Sequence, residues 1–271
     1  MRKIAVWASL VSNILLVVTG GIVRLTASGL GCPTWPTCTG DSMVPVPEAG
    51  IHGIIENTNR ALTIVLVVVA IFTAVVFWRS AQRRLTILMG LGIPAQAVIG
   101  GISVLTQLNP WVVGLHFVVS AVLIAMATSL VWNFYGTSKI ADGMAVSISR
   151  AIVALGSISV LVGIVVTGAG PHAGDAAAPR NGLDLEFLQH VHSYPAYITL
   201  ALVVIQIANF RKLKLSNRVN YWLLGVLLMQ ALVGIAQSRL GVPAPLVAIH
   251  LLGASVLISL IWLQRLSIKK S

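Results

Sequence analysis

Residues 85–138 read LTILMGLGIPAQAVIGGISVLTQLNPWVVGLHFVVSAVLIAMATSLVWNFYGTS, without one Asp, Glu, Lys or Arg. A helix of ~20 apolar residues crosses the hydrocarbon core of a bilayer, so this stretch is too long for one passage and long enough for two. Its one break, Thr106-Gln107-Leu108-Asn109-Pro110, is a polar turn ending in proline and reads as a tight connection. Working outward, Ile4–Val23, Ala61–Trp78, Ala151–Gly170, Val219–Ser238 and Leu240–Gln264 are also free of charge and near or above spanning length. Phe187–Phe210 adds a span interrupted only by histidines. The count is eight, which predicts an all-α membrane protein with eight transmembrane helices.

Composition agrees. Of 271 residues, 57% are hydrophobic and 9% charged, with a mean hydropathy of +0.93. Soluble domains carry roughly 25% charged residues, so a single water-soluble core is excluded. The first span runs on into Arg24 and a polar loop without a small-residue cleavage pattern, which disfavours a removed signal peptide.

A net charge of +11 would suit a polyanion, but its distribution points elsewhere. Fourteen of the 18 Lys and Arg, from Arg2 and Lys3 to Lys269 and Lys270, fall at alternate ends of the spans. That bias predicts that both termini are cytoplasmic and gives no reason to invoke nucleic acid. Arg24, Arg60, Arg180 and Arg239 lie on the other side with every acidic residue except Asp142. The two cysteines, Cys32 and Cys38, share the first outer loop, where an oxidising exterior and short spacing favour an intramolecular disulfide over free thiols.

The chain also repeats itself. Gln96-Ala97-Val98-Ile99-Gly100 matches Gln230-Ala231-Leu232-Val233-Gly234, and His116 matches His250, at an offset of 134 residues. One span earlier, Glu56-Asn57-Thr58-Asn59 aligns with Gln189-His190-Val191-His192 at an offset of 133, and Gly21-Ile22-Val23 corresponds loosely to Gly163-Ile164-Val165. The order of inward and outward spans is the same in both copies. The repeat is therefore parallel, which argues against an inverted-repeat transporter and predicts two pseudo-symmetric four-helix bundles, residues 1–138 and 139–271, with comparable sites.

All six histidines lie outside or in the outer leaflet. His116 and His250 sit about two turns below Pro110 and Pro243, and His192 lies at similar depth on a span parallel to that of His250. Histidine inside a membrane is expensive and generally functional, although it can simply bond a neighbouring helix. Two imidazoles facing across a bundle supply what a six-coordinate haem iron needs, so His192 and His250 are predicted as an axial pair. His190 points around the helix from His192 and is a second choice, and His172 reads as a rim residue in a flexible loop. In the first half, His52, Glu56 and Asn59 share one helix face. Glu56 either moves protons beside a cofactor or pairs with Arg60 at i+4 to close the helix end.

Taken together, these residues resemble the haem A synthases of bacterial and mitochondrial membranes. The resemblance runs through Gly21-Ile22-Val23-Arg24-Leu25-Thr26 to Gly31-Cys32 with Trp35-Pro36-Thr37-Cys38, then Glu56-x-x-Asn59-Arg60, Gln96-x-x-x-Gly100-Gly101, Leu108-Asn109-Pro110 with His116, Thr167-Gly168-Ala169-Gly170-Pro171-His172-Ala173-Gly174-Asp175, and His250. It implies an oxidoreductase of the plasma or inner membrane that converts a methyl group of haem O to the formyl group of haem A, for terminal oxidases. It also implies a permanent haem b on His192 and His250, and haem O as substrate beside His116, supplied by a haem O synthase. Glu56 corresponds to the family's catalytic acidic residue, and Cys32 and Cys38 to its outer-loop cysteine pair. His52, Asn59 and Arg60 complete the candidate substrate site. One departure stands out: many members carry histidine where this chain has Asn59. Either His52 moves in, or His116 alone holds the substrate iron. A non-catalytic b-type cytochrome linking a quinone to a partner is the alternative. It needs the histidine pair but not Glu56.

Overall fold

The structure, a computed structural model, describes residues 1–270. Its eight helices are α1 (Arg2–Leu25), α2 (Gly50–Val76), α3 (Arg83–Leu105), α4 (Pro110–Tyr135), α5 (Gly143–Ala169), α6 (Leu185–Lys212), α7 (Arg218–Arg239) and α8 (Ala244–Leu266). Each is long and apolar enough to cross a membrane, as the sequence predicted. α2 begins well outside its charge-free run, so the turns carrying His52 and Glu56 are helical.

The ends follow from local chemistry. Asn109 caps α4 by accepting from the Trp111 N–H (3.0 Å), with Pro110 in the first turn. Asp142 caps α5 through the Ala145 N–H (2.8 Å), which explains the one acidic residue on the basic side. Asp184 caps α6 in the same way through Phe187 (2.6 Å).

Within the first half, α1 packs on α2 and α4, and α3 on α2 and α4. Within the second, α5 packs on α6 and α8, and α7 on α6 and α8. The halves meet through α4–α8, α1–α8 and α4–α5. Leu10, Phe77, Ile124 and Leu130 centre one apolar core, and Ile152, Val203, Leu223 and Ile261 the other. Side chains hydrogen-bond between helices where apolar burial cannot discriminate partners: Ser9 with Thr73 (2.9 Å), Thr128 with Ser259 (2.7 Å), and Trp262 Nε1 to Ser129 (2.6 Å). The last two join the halves. Outward, α2 alone presents Ile64, Val68, Ile71 and Val75, each at least 60% exposed, a surface suited to lipid tails.

The all-α expectation misses one small feature. β1 (Lys139–Ala141) pairs in parallel with β2 (Ile268–Lys270), tying the link between the halves to the C-terminal segment. Strands this short carry no periodicity for a sequence to display.

At the opposite end, the disulfide Cys32–Cys38 closes the first loop, and both cysteines are buried. That loop meets the α5–α6 connection through Gly29 N–H to Gly174 O (2.8 Å) and through Leu30, which packs with Leu108 of the α3–α4 turn against Ala173 and Ala178. Cys32 and Cys38 should be inert to thiol reagents in native membranes until reduced. Replacing both should weaken folding by about 2–3 kcal/mol, on the chain-entropy account of so short a loop, without abolishing it.

Candidate functional site

The predicted histidine pair comes together. His192, about two turns into α6, and His250, one to two turns into α8, hold their ring centroids 6.2 Å apart at 71°. The His192 Nδ1–H donates to Ser159 O on α5 (2.9 Å), which orients the ring and leaves Nε2 as the free donor atom of a neutral imidazole. A glycine accommodates the ring. A Cβ at Gly163 would stand 2.9 Å from His192 Cε1, closer than real contacts allow.

His250 is positioned differently. Gln230 on α7 donates its Nε2–H to the carbonyl of His250 (2.9 Å), while His250 Nδ1 is buried without a partner. The first half holds His116 in the same manner. Gln96 on α3 donates to His116 O (3.0 Å), and His116 Nδ1 is likewise buried and unpartnered. Four residues after each glutamine, Gly100 and Gly234 face the imidazoles, where a Cβ would stand 3.2 Å from His116 and 3.6 Å from His250. The matched Gln–His spacing in the sequence thus has a physical content that pattern alone did not reveal. The glutamine fixes the histidine's backbone and the glycine makes room for its ring. One difference separates the two: Ser120 bonds both Gln96 Nε2 (2.5 Å) and His116 O (3.0 Å), whereas Ala254 occupies the matching position of the second half.

Asn59 is the residue that the repeat aligns with His192. Its Oδ1 is buried and unpartnered, and a Cβ at Gly20 of α1 would stand 4.0 Å from its Nδ2. A cavity of about 210 Å³ between α1 and α2 is lined by Thr19, Ile22, Ile55 and Asn59 among others. His52 does not approach it. That side chain is exposed and pairs with Ser28 Oγ (3.0 Å).

Glu56 and Arg60 form the only ion pair among the described residues, Oε1 to Nη2 at 2.6 Å. They do more than close a helix end. The Cys32 N–H donates to Glu56 Oε2 (2.7 Å), and Arg60 donates to the carbonyls of Cys32 (2.9 Å), Thr34 (3.1 Å) and Thr37 (3.2 Å). The disulfide loop is therefore clamped to α2 through its own backbone, while Trp35 packs on Gly101 of α3. No spacing rule exposes an arginine that binds three loop carbonyls. His172, read as part of a flexible loop, is in fact half-buried, and its Nε2–H donates to Val242 O (2.8 Å) across two outer connections. His190 is exposed on α6.

Among known proteins, the family model described as cytochrome oxidase assembly protein matches residues 3–262. The chain belongs to this family. Similar relatives include the heme A synthase of Staphylococcus epidermidis, 24% identical over 236 residues that cover 78% of this chain and 77% of the relative. That of Staphylococcus aureus is 24% identical over 245 residues, 82% and 80% of the two chains. That of Bacillus pumilus is 31% identical over 132 residues, 46% and 42%.

For this member of the family, the clamp predicts a specific reactivity. After reduction, Cys32 and Cys38 should still alkylate slowly, because Glu56 and Arg60 keep the loop closed. In Arg60→Ala, both should react at least about tenfold faster, the effect of losing even one charge-assisted bond on a local opening equilibrium. Equal alkylation rates in the two proteins would show that the loop is held by something else.

Proposed function

We propose that the chain is a multi-pass membrane enzyme that oxidises a ring methyl of haem O to a formyl group, making haem A for terminal oxidases. The observation that carries the reading is the facing pair His192–His250 in a chain matched to the family almost end to end. The pair fits a haem iron. A metal bound at about 2 Å by a nitrogen on either side sets the two ring centroids roughly 6 Å apart, and the observed spacing is 6.2 Å. Haem b bound there supplies a one-electron relay. The chain's own part is to hold the two imidazoles in place, through Ser159, Gln230 and the space left by Gly163.

In this proposal residues 1–138 receive haem O and residues 139–271 keep haem b. His116 positions or ligates the substrate iron, and Asn59 leaves the opposite position without a strong donor, since an amide is a poor iron ligand. His52 is not taken as its replacement, because it is committed to Ser28 on the outer surface. Glu56 serves the reaction in one of two ways that an experiment separates: as a proton acceptor released from Arg60, or as the anchor that keeps the disulfide loop over the substrate half. The basic residues Arg2, Lys3, Arg83, Arg84, Lys139, Arg211, Lys212, Arg265 and Lys269 support cytoplasmic termini in a plasma or inner membrane. A haem O synthase in the same membrane is the proposed source of substrate.

Expression of the chain in a host that makes haem O but not haem A is the decisive test, and haem A should appear in extracted pigment. Its absence, with haem b bound, would favour the non-catalytic cytochrome. His192→Ala and His250→Ala should each abolish the low-spin haem b spectrum. His116→Ala should abolish haem A while leaving that spectrum nearly intact. Gly163→Ala should weaken haem b retention about 10–100-fold by displacing His192, whereas Gly234→Ala should be tolerated, because its added methyl meets His250 at an ordinary contact distance. Glu56→Gln keeps the acceptor for Cys32 but not the charge. Loss of haem A with the loop still closed to alkylation assigns Glu56 to proton transfer, and loss with an opened loop assigns it to anchoring.

A further inference from the structure

Arg24 ends α1 at the seam between the halves. Its Nη2–H donates to Thr167 O on α5 (2.6 Å), while its Nε is fully buried and has no acceptor. Nη1 donates to nothing among the described residues. The backbone of Gly174 lies along the stem, where a Cβ would stand 3.6 Å from Arg24 Cγ. Arg180, from the same connection, bonds Ala178 O (2.6 Å) and Pro171 O (2.7 Å) and brings a second positive charge to bear on Arg24. No carboxylate answers them. Glu56 is paired with Arg60, and Asp175 caps its own turn through the Ala177 N–H (2.8 Å). A partly buried guanidinium beside a like charge, with donors unused, is a costly arrangement unless an anion completes it.

Its height in the bundle indicates which anion. Gly20, one turn inward on α1, is the residue that backs Asn59, and one helical turn is about 5.4 Å. We propose that Arg24, assisted by Arg180, binds a propionate carboxylate of the substrate haem. The tetrapyrrole would stand with its metal at the level of Asn59 and His116 and its carboxylate edge toward the outer surface. The planar fork of arginine suits a carboxylate better than a point charge does. The proposal rests on the reading that haem O enters the first half. It adds an orientation rule: the acidic edge faces out, which limits which ring positions can approach Glu56 and the disulfide loop.

The test compares haem O with its propionate dimethyl ester. Both are titrated optically into the purified full-length chain loaded with haem b. The unaltered protein should bind the acid about 10–100-fold more tightly than the ester, the effect of one or two charge-assisted hydrogen bonds. Arg24→Gln should lose that preference by weakening the acid alone, and Arg24→Lys should keep part of it. Arg180→Gln should reduce the preference too, and it covers the case in which replacing Arg24 costs the haem b spectrum and hence the fold. Failure of the unaltered chain to bind haem O would overturn the functional reading and this site with it. Equal affinity for acid and ester, or an equal loss of both in Arg24→Gln, would overturn the site alone. The first of these is the result expected if a lipid phosphate holds the arginines, and the second if Arg24 merely pins α1 to α5.

Discussion

In the hydrocarbon core of a bilayer no water is available to satisfy a free N–H or C=O, so the backbone must close its hydrogen bonds within each helix. Everything else in this chain is arranged around that constraint. Lipid tails are as apolar as leucine, so burial alone cannot select which helices meet, and hydroxyl and indole bonds such as Thr128–Ser259 and Trp262–Ser129 help to join the halves. The same constraint makes every unpartnered polar atom informative. His116 Nδ1, His250 Nδ1 and Asn59 Oδ1 are buried without partners at the levels where the two halves meet their proposed haems.

The spans and their number were legible because hydropathy reports directly on what lipid permits. The same holds for the disulfide, where two cysteines in one short outer loop left little alternative. Backbone-directed bonds were not legible. Arg60 finds three carbonyls of the disulfide loop, Arg24 finds Thr167 O and His172 finds Val242 O, and none of these partners has a side-chain identity that a sequence could show. The alignment paired Gln96 with Gln230, yet only geometry reveals that each holds the carbonyl of the histidine 20 residues on. Likewise the i+4 spacing of Glu56 and Arg60 suggested a helix-end pair, while its tie to the Cys32 amide depends on how the loop returns over α2. The β1–β2 pair escaped notice because three residues a side have no pattern.

The outer connections bind the two halves more closely than a simple tandem of bundles would. Gly29 to Gly174, Arg24 to Thr167 and the packing of Leu108 on Ala173 form one continuous cover in which the first loop and the α5–α6 connection share backbone bonds. At the other end β1 pairs with β2 within the second half, and the Oγ–H of Ser138, the last residue of the first half, donates to Leu266 O (3.0 Å). These bonds, with Thr128–Ser259 and Trp262–Ser129 between the helices, restrain relative motion of the halves, so the separation between the two proposed haems would be held by hydrogen bonds as well as by apolar contact. A fixed separation suits electron exchange between two bound tetrapyrroles better than a pair of loosely associated bundles would.

A permanent cofactor and a substrate make opposite demands on otherwise similar pockets. The second half offers two facing imidazoles, one with its ring nitrogen bonded to Ser159, and in the proposed function these would be the two ligands of the permanent haem. In the first half the residue aligned with His192 is Asn59, whose amide is a poor iron ligand, and the backbone carbonyl of His116 accepts from Ser120 as well as from Gln96. A substrate ring held by one histidine, as proposed for the first half, would leave more readily than one held by two. On this reading the loss of the histidine at Asn59 is compensated in geometry rather than in affinity. The clamped disulfide loop, with Trp35 on Gly101, would then supply from the loop side the retention that a second iron ligand does not supply from within.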